Sequence, residues 1–290
     1  MNIFARLWEI CACATVIGIM APSAPTQVDI APHLFRTNAT TPQVLTSSFV
    51  GHVLVDAIIN GRHLWFTLDT GTNGIILDSD AARELGLREP NPTEAVADMD
   101  VGPLHANDVR FYLTRYGHRF EGPRVVGLIG APFFRSNVVT IDYQHKSITV
   151  YPATSFDPSQ AGVAVPLYFD DHMPFVETRV DGRNAAMLLD TAAFGTFLFS
   201  RFAAGINLGP PLGRESVTLG ISGSAADSTL YRISALDIGG TRLLGPLAYV
   251  SSDTRPFAGG FYADGILGRN VLANFVLTID YRDAVAYFRT

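Results

Sequence analysis

Cysteine is almost missing from this sequence. Its 290 residues hold two, Cys11 and Cys13, both in an N-terminal segment with the marks of an export signal. With that segment removed, the chain has no thiolate nucleophile, no disulfide and no cysteine-based metal site. The seven histidines show no metal-ligand spacing and no His-Glu-x-x-His, so neither a metal nor an organic cofactor is expected. Basic charge is scarce too: Lys+Arg 21 against Asp+Glu 27 leaves a net charge of -6. A nucleic-acid partner needs a basic face to neutralise phosphates, and this balance argues against one. Beyond the N-terminal segment no apolar run reaches the roughly 20 residues of a membrane span. At 48% hydrophobic and 17% charged, the chain can bury a sizeable core, which excludes global disorder.

In the N-terminal segment Arg6 supplies the positive charge, Ile10 to Met20 is apolar, and Ala21-Pro22-Ser23-Ala24 offers small residues for cleavage. Residues 1–24 are therefore expected to be a signal peptide, and the protein to be exported, periplasmic or secreted. Glu9 and the prolines near the cleavage site favour the alternative of a short uncleaved membrane anchor.

The most informative feature is an internal repeat. Five motifs occur twice in the same order. Asn60-Gly61-Arg62 is matched by Asp181-Gly182-Arg183, and Leu68-Asp69-Thr70 by Leu189-Asp190-Thr191. Asp100-Val101-Gly102 is matched by Asp237-Ile238-Gly239, and Gly127-Leu128-Ile129-Gly130 by Gly265-Ile266-Leu267-Gly268. Thr140-Ile141-Asp142-Tyr143 is matched by Thr278-Ile279-Asp280-Tyr281. In each copy the Gly turn predicts a hairpin. Strands are expected at 64–68 and 185–189, then at 75–77 and 196–199. Short helical turns follow, with Ser79 and Ser200 as N-caps and Gly86 and Gly205 as stops. The expected organisation is an extended lead-in at 25–46, a first lobe at 47–152, a linker at 153–162 and a second lobe at 163–290.

An Asp that ends an apolar strand sits near the interior, where a charge is costly unless paired or hydrogen-bonded. Asp69 and Asp190 both do so. If the lobes pack about a pseudo-twofold axis, the two Asp-Thr loops meet there. Two adjacent carboxylates cannot both ionise, so they share one proton. Such a pair can deprotonate a water and protonate a leaving group.

With these motifs the chain resembles the aspartic proteases, in particular the retropepsin-like bacterial "aspartyl protease" domains. The resemblance covers both lobes. It rests on Asp69-Thr70-Gly71, on Asp190-Thr191, and on the apolar-apolar-Gly signatures ending at Gly130 and Gly268, with Gly268-Arg269-Asn270-Val271-Leu272 also similar. It implies a mostly β fold of two β-barrel-like lobes with short helices, a catalytic Asp69 and Asp190, and Thr70 and Thr191 locking the loops across the interface. Gly71, Thr72 and Ala192 would support those loops. It also implies a polypeptide substrate, bound extended under a hairpin flap. The second lobe offers a flap with its turn at Ser222-Gly223-Ser224, whereas the first has little room for one between Leu87 and Asp98. Both Asp loops lie in one chain, so a monomer suffices. Ala192 departs from the pattern, which has Gly there. A peptide-binding protein that keeps the fold without turnover is the alternative to an endopeptidase.

Other features have plainer readings. Asp142 and Asp280 form a second matched pair, read as turn caps. Gly127 to Gly130 is followed by no lysine, so strand packing is expected rather than a phosphate loop. Phe133, Phe134 and Phe169 read as core. Within the dyad, the Thr72 hydroxyl can donate to Asp69 while the side chain of Ala193 can donate nothing, which points to a proton mainly on Asp190.

Overall fold

Each half of the chain opens on a hairpin that the sequence dictates. Asn60 and Gly61 have φ of 49° and 72°, and Asp181 and Gly182 have 48° and 81°. Two successive left-handed residues make the turn whose twist matches its flanking strands, and Asn-Gly and Asp-Gly tolerate it best. The turns join Leu54–Ile59 to Arg62–Leu68 and Met173–Val180 to Arg183–Leu189. The structure is a computed structural model describing residues 35–115, 122–152, 155–219, 224–251 and 263–290. The expected signal peptide and most of the lead-in lie outside the described residues.

The second strand of each hairpin runs from solvent into the interior. Arg62 and His63 are exposed and Phe66, Thr67 and Leu68 buried; Arg183 and Asn184 are exposed and Met187, Leu188 and Leu189 buried. This gradient carries Asp69 and Asp190 inward. Each strand is then backed by a parallel partner, Val125–Ile129 in the first half and Gly265–Leu267 in the second. Ile75–Asp78 and Thr196–Phe199 return antiparallel to those partners. The Asp loop is thereby pinned between two neighbours of one strand.

Gly130 and Gly268 close this arrangement. The Gly130 amide donates to the Gly74 carbonyl at 3.0 Å, and the Ala131 and Arg269 amides donate to the Thr72 and Ala193 carbonyls at 2.9 and 2.8 Å. A Cβ on Gly130 would collide with the Thr72 carbonyl, and one on Gly268 with the Gly195 carbonyl. The repeated Gly-x-x-Gly is therefore a close-packing device against the Asp loops, as strand packing predicts.

Among the described residues the strands form a barrel-like, mostly β architecture of three sheets. One has eight strands between Ser47 and Ile129, and one has ten between Tyr168 and Leu267. The third has six strands and draws on both halves, in the order Gln43–Val44, Ser147–Tyr151, Val138–Asp142, Val276–Asp280, Val285–Arg289, Val163–Pro166. At its centre Thr140 lies opposite Thr278, its own match in the sequence repeat, with the hydroxyls 2.7 Å apart. His33 to Thr290 forms one compact unit, and one apolar cluster runs from Phe35 to Phe288.

Four short α-helices and a 3-10 turn at Pro158–Gln160 are described, and both expected N-caps are displaced by one residue. Asp78, not Ser79, caps Ser79–Glu84, because its carboxylate accepts both the Asp80 and Ala81 amides at 3.1 and 3.0 Å. Phe199, not Ser200, holds the cap position of Ser200–Ala203, and that helix has no side-chain cap bond. Gly86 stops the first helix in the left-handed conformation expected of it, φ 62°. Phe133 and Phe134 are core, but Phe169 is 40% exposed and packs on Tyr281 at 4.8 Å. No helix among the described residues is long and apolar enough to cross a membrane.

Candidate active site

The structure brings the two Asp-Thr loops together and interlocks them through their threonines. The Thr70 hydroxyl donates to the Leu189 carbonyl at 2.6 Å and accepts the Thr191 amide at 3.0 Å. Reciprocally, the Thr191 hydroxyl donates to the Leu68 carbonyl at 2.7 Å and accepts the Thr70 amide at 3.1 Å. Thr70 is 0% and Thr191 1% exposed. Four bonds out of contact with water thus fix the backbone on both sides of each Asp.

Asp69 and Asp190 lie within hydrogen-bonding reach of one another. Asp69 accepts the Gly71 amide on Oδ1 and the Thr72 hydroxyl on Oδ2, each at 2.8 Å. Asp190 accepts the Ala192 and Ala193 amides on Oδ1, at 2.8 and 2.9 Å. Burial holds Asp69 well above the ordinary carboxylate range, and the charge of Asp190 pushes it further; the bonds from Thr72 and Gly71 offset only part. Burial raises Asp190 as well, against the two alanine amides. The two carboxyls titrate as one coupled pair. Thr72 does donate to Asp69, but the Ala193 amide replaces the missing hydroxyl. Desolvation, which side-chain inventories do not reveal, outweighs both bonds.

Gly71 leaves no room for a side chain: a Cβ there would lie 2.6 Å from Asp190 Oδ2 and 2.7 Å from its Cγ. Ala192, at the matching position of the second loop, does carry one. The loops also diverge further on. Asn73 donates to the Asp171 carboxylate at 2.5 Å, while its match Phe194 is 45% exposed and packs on Phe197 and Tyr249. Arg269 reaches the Gly51 carbonyl across the halves.

The second half carries a hairpin of Gly213–Leu219 and Ser224–Arg232, where the flap is expected. Ser222 and Gly223 lie outside the described residues. Ser224 is not in the turn but begins the return strand, opposite Leu219. In the first half the comparable hairpin is Arg88–Asn91 against Glu94–Val101, joined by two residues, as little room predicts. Asp142 and Asp280 cap turns: Asp142 accepts the His145 amide, and Asp280 those of Arg282 and Asp283. Nothing in residue type alone marks the tyrosines after them as part of the site. The Tyr281 hydroxyl is buried and feels the charges of both Asp69 and Asp190, and that of Tyr143 feels Asp190 and Arg269. The signal was their place in the repeat. No group of three or more potential metal ligands occurs among the described residues.

Residues 176–271 match the family described as aspartyl protease. Among solved structures, the chain is similar to basic 7S globulin from soybean at 11% identity and a TM-score of 0.47, covering 87% of this chain and 96% of that one. It is also similar to a retropepsin-like aspartic protease from Rickettsia conorii at 16% identity and a TM-score of 0.29, covering 43% of this chain and 89% of that one. No curated protein matches the sequence. The match from 176 to 271 takes in Asp190-Thr191 and Gly265 to Gly268, and over this stretch the chain is similar to the aspartyl protease family, consistent with the retropepsin- and pepsin-like resemblance of both Asp-Thr loops.

Proposed function

We propose that the protein is an exported, monomeric aspartic endopeptidase in which Asp69 and Asp190 act as one dyad. The observation that carries this reading is the pair of desolvated carboxyls held within reach of each other by the threonine interlock. A structural turn after a strand needs neither burial of two acids nor four cross-bonds to fix them. In the reaction, the ionised carboxylate takes a proton from a water as its oxygen bonds to the peptide carbonyl carbon. The protonated carboxyl gives its proton to the carbonyl oxygen. In collapse, the first carboxyl hands its proton to the departing nitrogen, the C–N bond breaks, and the second recovers a proton from the diol. The substrate lies extended, bonded through its backbone as an added strand. The signal-like segment supports export.

Ala192 favours a second reading, a peptide-binding protein of the same fold without turnover. Digestion of a peptide library across acidic to neutral pH separates the two. New termini support the endopeptidase, and retention of intact peptides supports the binder.

A further inference from the structure

The stretches that follow the two Asp-Thr loops match in position but not in chemistry. Asn73 and Phe194 are each the fourth residue after their Asp, and each is followed by a glycine. Over that glycine lies a tyrosine of the neighbouring strand: a Cβ on Gly74 would meet the Tyr112 ring at 2.7 Å, and one on Gly195 the Tyr249 ring at 3.2 Å. Strand pairing gives the same match, since Ile76 lies opposite Tyr112 as Phe197 lies opposite Tyr249. Two residues before each tyrosine, on the same face of its strand, stand Arg110 and Leu247. Three matched positions are thus polar beside Asp69 and apolar beside Asp190: Thr72 against Ala193, Asn73 against Phe194, and Arg110 against Leu247.

The polar wall is held by its own bonds. Asn73 donates to the Asp171 carboxylate at 2.5 Å, and Arg110 lies 3.4 Å from Glu94. The apolar wall is held by ring packing and is still open to solvent. Phe194 packs edge-on against Phe197 and Tyr249, with centroids 5.5 Å apart in both pairs, yet stays 45% exposed, and Leu247 is 37% exposed. The far side of this wall is tied to the hairpin of Gly213–Leu219 and Ser224–Arg232, whose Glu215 accepts the Tyr249 hydroxyl at 3.1 Å. Phe194 therefore stands between the dyad loop and the hairpin placed where the flap is expected. An exposed ring gains by packing against an apolar ligand side chain, and Asn73, already bonded, offers no such surface. We propose that Phe194 is a specificity-determining residue: it takes an aromatic or other large apolar side chain of the peptide on the Asp190 side of the dyad, while the Asn73 wall takes a polar side chain on the Asp69 side. The substrate class is then a peptide of opposed character about the bond it presents, apolar on one side and polar on the other. This rests on the dyad as the point where the peptide is presented, but not on turnover.

The test is digestion of a random peptide library by the full chain, with the residues on both sides of each cut read from the products, beside capture of the same library by the folded Asp69→Asn variant. Aromatic and large aliphatic residues should be enriched on one side of the cut alone, and captured peptides should carry them too. Phe194→Asn, which copies the first-half residue, should reduce the kcat/KM preference for an aromatic peptide over its polar counterpart by about tenfold or more, the scale of one apolar contact in a pocket. Added to Asp69→Asn, it should remove the aromatic bias from capture. Asn73→Phe should bring enrichment to the other side of the cut; if that variant does not fold, Phe194→Asn alone decides. Equal enrichment on both sides in the wild type, or a bias that survives Phe194→Asn, would overturn the assignment and leave the endopeptidase standing. Biased capture with no cut would uphold it and count against the endopeptidase. Neither cutting nor capture would overturn both.

Discussion

Thr191→Val is the sharpest probe of the interlock. Valine keeps the shape and burial of threonine but removes the hydroxyl. That strands the Leu68 carbonyl and the Thr70 amide, which the Thr191 hydroxyl satisfies at 2.7 and 3.1 Å. With Thr191 1% exposed and Thr70 0% exposed, no water replaces the lost partner. Each orphaned group costs about 1–3 kcal/mol, so the variant should lose roughly 2–6 kcal/mol. Against a total stability of about 5–15 kcal/mol, that is a large share. Thr191→Ser keeps the hydroxyl and gives up one methyl, for a loss of about 1 kcal/mol. The assay is urea unfolding followed by circular dichroism at fixed pH, with an unchanged slope showing that the same surface is exposed. A valine variant as stable as the serine variant would refute the reasoning, because the bonds would then hold nothing that the packing does not.

Two further outcomes follow from the same geometry. Both carboxyls titrate in the fold above their ordinary 3.8. Their stabilising contribution is therefore complete below that pH and is lost as the pH rises through the folded values, because the unfolded chain gives up its protons first. The unfolding midpoint should fall as the pH climbs from about 4 toward neutrality, and Asp69→Asn should flatten that slope; an equal slope in the variant would put the linkage elsewhere. Gly71→Ala would place its Cβ 2.6 Å from Asp190 Oδ2, so kcat/KM should fall by about a hundredfold or more as the dyad is forced apart. Wild-type kinetics in that variant would mean that the loops adjust freely.

Much of this fold was legible because the chain states it twice. The hairpins at Asn60-Gly61 and Asp181-Gly182 follow from residues that accept left-handed φ, and the strands at 196–199 and 185–189 follow from the apolar runs bounded by those turns. The Asp-Thr loops were legible for the same reason. The helix cap is where local pattern stops: Asp78 and Ser79 are both good caps, and only the geometry reveals that one carboxylate serves two amides. The proton assignment turns on a deeper point. A sequence displays the Thr72 hydroxyl but not the Ala193 amide, and it displays no desolvation. Contacts such as Asn73 with Asp171 and Arg269 with Gly51 depend on how the halves meet, which no local pattern encodes. Tyr143 and Tyr281 were visible in the repeat, but nothing in their residue type marked them as neighbours of the carboxyls.

The central claim is that Asp69 and Asp190 work as a single acid–base unit. Its most direct measurement is peptide hydrolysis as a function of pH by the wild type, Asp69→Asn and Asp190→Asn, each first shown to be folded. The account predicts a profile with its maximum at mildly acidic pH for the wild type and loss of hydrolysis in both variants, because an amide can neither accept the water's proton nor return one to the leaving group. Substantial hydrolysis by either folded variant, with the wild-type pH dependence, would contradict it.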